Sequence, residues 1–299
     1  MAARKTRNDI VVKDNRLIEA SYRLTLTEQR MILFAIIQAR DEQKGLNEAQ
    51  GQLFSNLPVT IRGIDFAKKF GLDEANAYGQ LAEASAKLFQ RFAIIHDIHP
   101  ESGRPRRSTV RWISKASYVQ QAGIIQLSFT TDLIPFITRL GDNFTQYRLE
   151  KIAGMSSTHA IRMYELLVQY VSIGKRSFDV PWLRERLCVI DEYPAISDFK
   201  KWVLNIAIDQ INEHSDIDVT WEQRKTGRTV THFDFTIKAK AEVRPKATKK
   251  KPEKIMPPTQ DAPQETEEQI AKNKARVKEL KQMRKSLSGQ LDLLLDQPS

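Results

Sequence analysis

One order of elements (helix, strand, helix, turn, helix, hairpin) can be read twice before residue 238, and this repetition narrows the possible folds more than any other feature. In the first copy, TLTEQRMILFAIIQAR opens with Thr25-x-x-Glu28, the spacing of a capping box, and continues as an apolar helix. A strand at PVTIR, a helix at IDFAKKF, a turn at GLDEAN and a longer helix at AYGQLAEASAKLFQ follow. Ala77, Leu81, Ala84 and Leu88 mark the buried side of that longer helix. Two β-rich runs, FAIIHDI and VRWISKASY, then flank the polar tip HPESGRPRRST.

The second copy starts at SSTHAIRMYELLVQYV, where Ala160, Tyr164, Leu167, Val168 and Val171 line one face. Its strand is SFDV. Its next helix is PWLRERL, with Pro181 at a tolerated first-turn position, and its long helix is AISDFKKWVLNIAIDQINEH. DIDVTW and HFDFTIK pair around the tip EQRKTGRT. This is the order of a winged helix, so the expected fold is α+β with two tandem winged-helix domains. The expected organisation is a flexible arm over 1–14, a first domain over 15–150, a second over 151–238, and a disordered basic tail over 239–299. Two small α+β domains with unrelated purposes would show the same order, because one scaffold serves many partners.

The tail is expected because large apolar residues nearly vanish from KAKAEVRPKATKKKPEKIMPPTQDAPQ onward, leaving too little surface to offset ordering entropy. Beyond it, ETEEQIAKNKARVKELKQMRKS predicts a marginal charged helix, with Glu268 and Lys272 as an i,i+4 pair and a thin stripe of Val277, Leu280 and Leu287. The formal charge of the chain is +10. Residues 238–299 hold 15 of its 47 Lys and Arg but nine of its 37 Asp and Glu, so the folded part is only mildly basic. Positive charge there matters where it clusters.

Several classes of function find no support. No stretch approaches the ~20 apolar residues of a membrane span, and MAARKTRNDI lacks the apolar core of a secretory signal. A cytoplasmic chain without membrane contact is expected. Cys188 is the only cysteine, which excludes an internal disulfide and a cysteine cluster for metal, and its apolar surroundings suggest packing. Gly174-Lys175 lacks the upstream glycine of a phosphate cradle. His96 and His99 are spaced to face opposite sides of a strand, with no third ligand evident. A DNA-nicking enzyme would need a His-apolar-His strand with a catalytic tyrosine, and the chain has no such pair. No catalytic residues, metal or cofactor are expected.

The candidate surfaces are basic. At 100° per residue, the long helix of the second copy places Ile196, Phe199, Trp202, Val203, Ile206 and Ala207 on one face. Ser197, Lys201, Asn205 and Asn212 fall opposite, with Lys200 at the border. In a helix-turn-helix this helix enters the major groove, where Lys can contact guanine and Asn adenine. Ser197, Lys200, Lys201 and Asn205 are therefore candidates for DNA reading, against the bland possibility of a solvated face. Arg104, Arg106 and Arg107 crowd the first hairpin tip, and Arg224, Lys225 and Arg228 crowd the second around Gly227. Cations on both tips fit wings that grip phosphate.

LIEASYRLTLTEQRMILFAIIQA resembles the opening of the iteron-binding plasmid replication initiators, and FKKWVLNIAIDQINEHSDIDVTWEQRKTGRTVTHFDFTIK is similar to the recognition helix and wing of their second domain. The likeness runs in order from about residue 10 to 238. It implies sequence-specific binding to repeated double-stranded sites at a plasmid origin, assistance with origin melting, and recruitment of host replication proteins such as an initiator and a helicase. It also implies monomers that initiate, in equilibrium with homodimers that repress their own gene. The second domain would dominate recognition, and the first would add DNA contacts and the dimer interface. Lys200 and Lys201 match the family's basic pair, and Arg224, Lys225 and Arg228 match its wing. The chain departs at Trp202, where the family often continues the basic run, and at Ile206, where proline is frequent; Trp202 is expected to pack.

The leucine patch QLDLLL follows Gly289. Gln290, Leu291, Asp292, Leu293 and Leu295 resemble the form Q-L-x-L-x-L of peptides that bind the bacterial sliding clamp. Such a peptide inserts apolar anchors into a groove, and a long linker raises its effective concentration. The bland possibility is the frayed end of a helix docked on the body. A winged-helix transcriptional repressor, binding operators as a dimer, is the alternative function and would need no clamp peptide.

Overall fold

The chain enters its fold through β1 (Ile10–Asp14), which pairs antiparallel with β7 (Phe144–Arg148), placing Ile10 opposite Arg148. The computed structural model describes residues 9–43, 58–119, 122–137 and 143–240. Val11 and Val12 are buried. Part of the stretch expected to be a flexible arm is therefore a core strand, because its apolar residues find a partner far along the chain. Asp14 then caps α1 (Asn15–Ile18), accepting from the Arg16 amide at 2.8 Å.

α2 (Leu26–Gln43) begins with the expected capping box: the Thr25 amide donates to Glu28 Oε2 at 2.8 Å, and the Glu28 amide to Thr25 Oγ1 at 3.3 Å. β2 (Val59–Arg62) leads straight into α3 (Gly63–Phe70), which ends on Gly71 at φ +63°, a left-handed position suited to glycine. α4 (Glu74–Leu88) starts earlier than expected, because Asp73 accepts from the Ala75 amide and recruits Glu74, Ala75 and Asn76 into the helix.

The run expected as one long strand after the first basic tip is divided in two. β3 (Phe92–Ile98) pairs with β4 (Pro105–Arg111) as a two-stranded ribbon, and Ile94 also exchanges two backbone hydrogen bonds with Ser21, each at 2.9 Å. β5 (Ile113–Val119) pairs with β6 (Ile124–Phe129), which in turn pairs with β2. Trp112, between β4 and β5, is fully buried and meets the Tyr22 ring edge-on at 4.9 Å, so the chain turns there to seat it. The winged-helix sheet of the first copy is thus β2-β6-β5, and its wing is the β5–β6 hairpin. The β3–β4 ribbon is an addition between α4, the third helix of the copy, and the wing.

After α5 (Ile134–Ile137), β7 and α6 (Glu150–Ala153), the second copy opens with α7 (Thr158–Val168), capped by Ser157. β8 (Lys175–Asp179) passes directly into α8 (Val180–Arg186). Val180, expected to close the strand, starts the helix instead, because Asp179 accepts from the Trp182 amide at 3.0 Å. The long helix consists of α9 (Ile196–Phe199), a π-helical stretch (Lys200–Asn205) and α10 (Ile206–His214). β9 (Ile217–Thr226) and β10 (Thr229–Ala239) complete the sheet β8-β10-β9, the same arrangement as in the first copy. Their hairpin closes over Gly227 (φ +63°) and Arg228, so most of the expected tip is paired strand.

The described residues form one unit, and the buried residues of both winged helices belong to one continuous core. Polar contacts cross between the copies. Arg162 Nη2 donates to the carbonyls of Ile18 and Ala20, each at 2.8 Å, and Arg186 Nη1 donates to Ser21 Oγ at 3.0 Å. β10 runs to Ala239, and Lys240 donates to the carbonyls of Asn212 and Ser215, so ordered contacts continue past the expected limit at 238. The tail from 241, with its expected linker, helix and Gln290–Leu295 peptide, lies outside the described residues. Among the described residues, no helix is long and apolar enough to cross a membrane.

Candidate nucleic-acid interface

The second copy builds its exposed helix on a clamped turn. Arg184 Nη1 donates to the Glu192 carbonyl at 3.2 Å and Nη2 to the Tyr193 carbonyl at 2.8 Å, while its guanidinium lies 4.8 Å from the Phe199 ring centroid. One side chain thereby ties α8, the turn and the start of α9 together.

The burial pattern along this helix, which includes a π-helical stretch, shows which side chains face outward. Bonding from i to i+5 adds about one residue to a turn and rotates the residues downstream of it by about 100°. Phe199, Val203, Leu204, Ala207, Ile208 and Ile211 are buried, while Ser197, Asp198, Lys201, Trp202, Asn205 and Asp209 are exposed. Ser197, Lys201 and Asn205 share the exposed face, as expected. Trp202, expected to pack, is 50% exposed, and the Lys201 ammonium sits 4.5 Å from its ring centroid. Its apolar ring had assigned it to the core face, but its position falls among the exposed Asp198, Asn205 and Asp209. Asn212 is committed elsewhere: its Nδ2 donates to the Val219 carbonyl at 2.9 Å, and its Oδ1 accepts from the Val219 amide at 2.7 Å, aligning α10 with β9.

Lys200, at the border, donates to Gln223 Oε1 on β9 at 3.1 Å and links the helix to the wing. Arg224 does not sit at the tip. It lies on β9, with Nε 3.3 Å from Asp234 Oδ2 and Nη2 3.0 Å from Ser177 Oγ. The Ser177 hydroxyl and the Arg224 guanidinium together hold the Asp234 carboxyl below its usual range. Lys225 and Arg228 are exposed beside the turn. Of the three expected wing cations, these two are the ones whose charge is not already matched among the described residues.

The first copy differs. Arg104, Arg106 and Arg107 belong to the β3–β4 ribbon rather than the wing. Arg106 Nε donates to Asp97 Oδ1 at 2.8 Å, and this bond keeps the Asp97 carboxyl below its usual range. Arg107 lies opposite His96 in the ladder. The exposed side of α4 carries Asn76, Gln80 and the Glu83–Lys87 pair, at 2.6 Å, with no counterpart to the Lys200–Lys201 pair. His96 Nε2 is 3.4 Å from Glu185, whereas His99 Nδ1 accepts from the Ser102 amide, so the two imidazoles do not converge. Cys188 sits at φ +56° in the turn after α8, and burial pushes its thiol pKa up, which keeps it protonated.

Two residues of this surface escaped sequence reading, Gln223 and Trp202. Gln223 carried no signal of its own. Trp202 stood directly after two lysines, where the family often has another base, and that context was the available signal.

Fold and surface together define a tandem winged-helix protein in which the long helix and wing of the second copy present a basic face carrying an exposed indole. Residues 10–168 match the family described as Initiator Replication protein, WH1, and residues 179–237 match that described as Initiator Rep protein, WH2; the chain belongs to this family of replication initiators. An uncharacterized 27.6 kDa protein of Escherichia coli is 24% identical over 229 residues, covering 76% of this chain and 93% of that protein. Among solved structures, the Pi initiator protein in complex with iteron DNA is similar in fold, with a TM-score of 0.59 and 20% identity, covering 80% of this chain and all of that one. The WH1 domain of a replication protein isolated from a multiple sclerosis patient is 31% identical over 39% of this chain and 81% of its own, with a TM-score of 0.31.

Proposed function

We propose that the chain initiates plasmid replication by binding iterons, the repeated double-stranded sites of an origin, through its second winged helix. The observation that carries this reading is the shared exposed face of Ser197, Lys201 and Asn205, held to the wing by the Lys200–Gln223 hydrogen bond. Lys201 would contact guanine and Asn205 adenine, while Lys225 and Arg228 would neutralise phosphates beside them. Arg104 and Arg107, on the ribbon, would add backbone contacts from the first copy. The activity is binding and deformation of DNA, with no covalent step on it.

The same reading includes a homodimer that represses the chain's own gene, and recruitment of host replication proteins in the cytoplasm. The peptide Gln290–Leu295 would dock on the sliding clamp, a proposal that rests on its sequence. Replacing Leu291 and Leu293 together by Ala should then abolish clamp binding. Initiation is separated from repression by permanganate probing of supercoiled origin DNA. Unpaired thymines next to the bound repeats are expected. Bound DNA that stays fully duplex would leave only a repressor.

A further inference from the structure

We propose that Trp202 is a specificity-determining residue of the recognition helix, packing its indole against the 5-methyl group of a thymine in the major groove. This rests on the DNA-binding reading given above.

A large aromatic ring is costly to leave in water, and an exposed one calls for an explanation when the exposure is built in. Here it is built in. Trp202 lies mid-helix, and the next two residues, Val203 and Leu204, are fully buried. At 100° per residue, position 202 falls among the exposed Asp198, Asn205 and Asp209, away from the buried Val203, Ala207 and Ile211. A π-helical stretch runs through this position, and such stretches are rare and concentrate at functional sites.

Its neighbours state which partner it suits. Lys200 and Lys201 precede it, Asn205 follows one turn on, and the Lys201 ammonium lies 4.5 Å from its ring centroid. That cation–π contact holds the indole in place and surrounds it with positive charge. An apolar groove on another protein would have to bury those lysines, whereas duplex DNA offers phosphate on both sides. On the major-groove floor, the apolar feature is the thymine methyl, and the other groups there are donors and acceptors. Lys201 and Asn205 suit the polar edges. Trp202 supplies the apolar contact that neither can make.

The test uses the full chain and a repeat it protects, with each thymine replaced singly by uracil, which removes only the methyl. At one position this should weaken wild-type binding about fourfold, the worth of one buried methyl group. Trp202→Ala should bind the thymine site less tightly, unrelated duplex unchanged, and show no further loss at that uracil. Trp202→Phe should keep the thymine preference. Trp202→Ala with undiminished sensitivity to the same uracil, or with equal losses on specific and unrelated DNA, would overturn the proposal. A wild-type chain that binds its repeat no better than unrelated duplex would overturn it together with the function on which it rests. Trp202 is 50% exposed, so Trp202→Ala should remain folded with only a small fall in its unfolding temperature, which separates lost contact from lost fold.

Discussion

The ammonium of Lys13 and the carboxylate of Glu165 lie 2.6 Å apart between the two winged helices, both buried, although 152 residues separate them in sequence. Glu165 also accepts from Tyr147 Oη at 2.6 Å and from Arg162 Nη1 at 3.1 Å. Burial pushes the Glu165 carboxyl up, but the charges of Lys13 and Arg162 outweigh it and hold the pKa below the ordinary 4.5. Burial likewise pulls Lys13 down against the pull of Glu165. Glu165→Gln leaves two buried cations without their anion, and a loss of about 3–5 kcal/mol in denaturant unfolding is expected.

The same carboxylate makes the fold sensitive to acid. Its folded pKa is depressed, so its contribution is present above the unfolded value and fades as pH falls through the folded one. The stability gap between wild type and Glu165→Gln should therefore narrow as pH falls below about 5. A gap that widened on acidification would contradict the assignment.

On the reading face, Lys201→Ala should weaken binding to the specific site by about 1–3 kcal/mol and leave unrelated duplex nearly unaffected. Equal losses on both would mean that Lys201 touches only phosphate.

The wing predicts the opposite signature. Arg228→Ala should weaken all sequences alike and reduce the salt slope of log K by about 1. Arg224→Ala should change that slope less, because Asp234 already matches its charge.

Arg184 positions the recognition helix without facing solvent DNA. Arg184→Ala frees the carbonyls of Glu192 and Tyr193, and about 1.5–3 kcal/mol of stability should be lost for each charged hydrogen bond that water does not replace. Specific binding should fall with it. Arg184→Lys should recover little, since one ammonium lacks the fork that spans both carbonyls.

Much of this architecture was legible because it is locally encoded. The Thr25–Glu28 capping box and the three-helix order of each copy follow from spacing that neighbours along the chain can read out. What escaped depends on distant partners. Ile10–Asp14 becomes a strand only because Phe144–Arg148 lies beside it, and the strand breaks at Trp112 because Tyr22 receives the indole. That break moved Arg104, Arg106 and Arg107 off the wing. In the site, periodicity anticipated the exposure of Ser197, Lys201 and Asn205, while Trp202 was assigned to the core face by its apolar side chain although its position falls among exposed residues.

Iteron binding by the second winged helix is decided by footprinting the full chain on the DNA flanking its own gene. Protection of several evenly spaced direct repeats is expected, lost selectively in Lys201→Ala. Protection confined to one inverted repeat would contradict it.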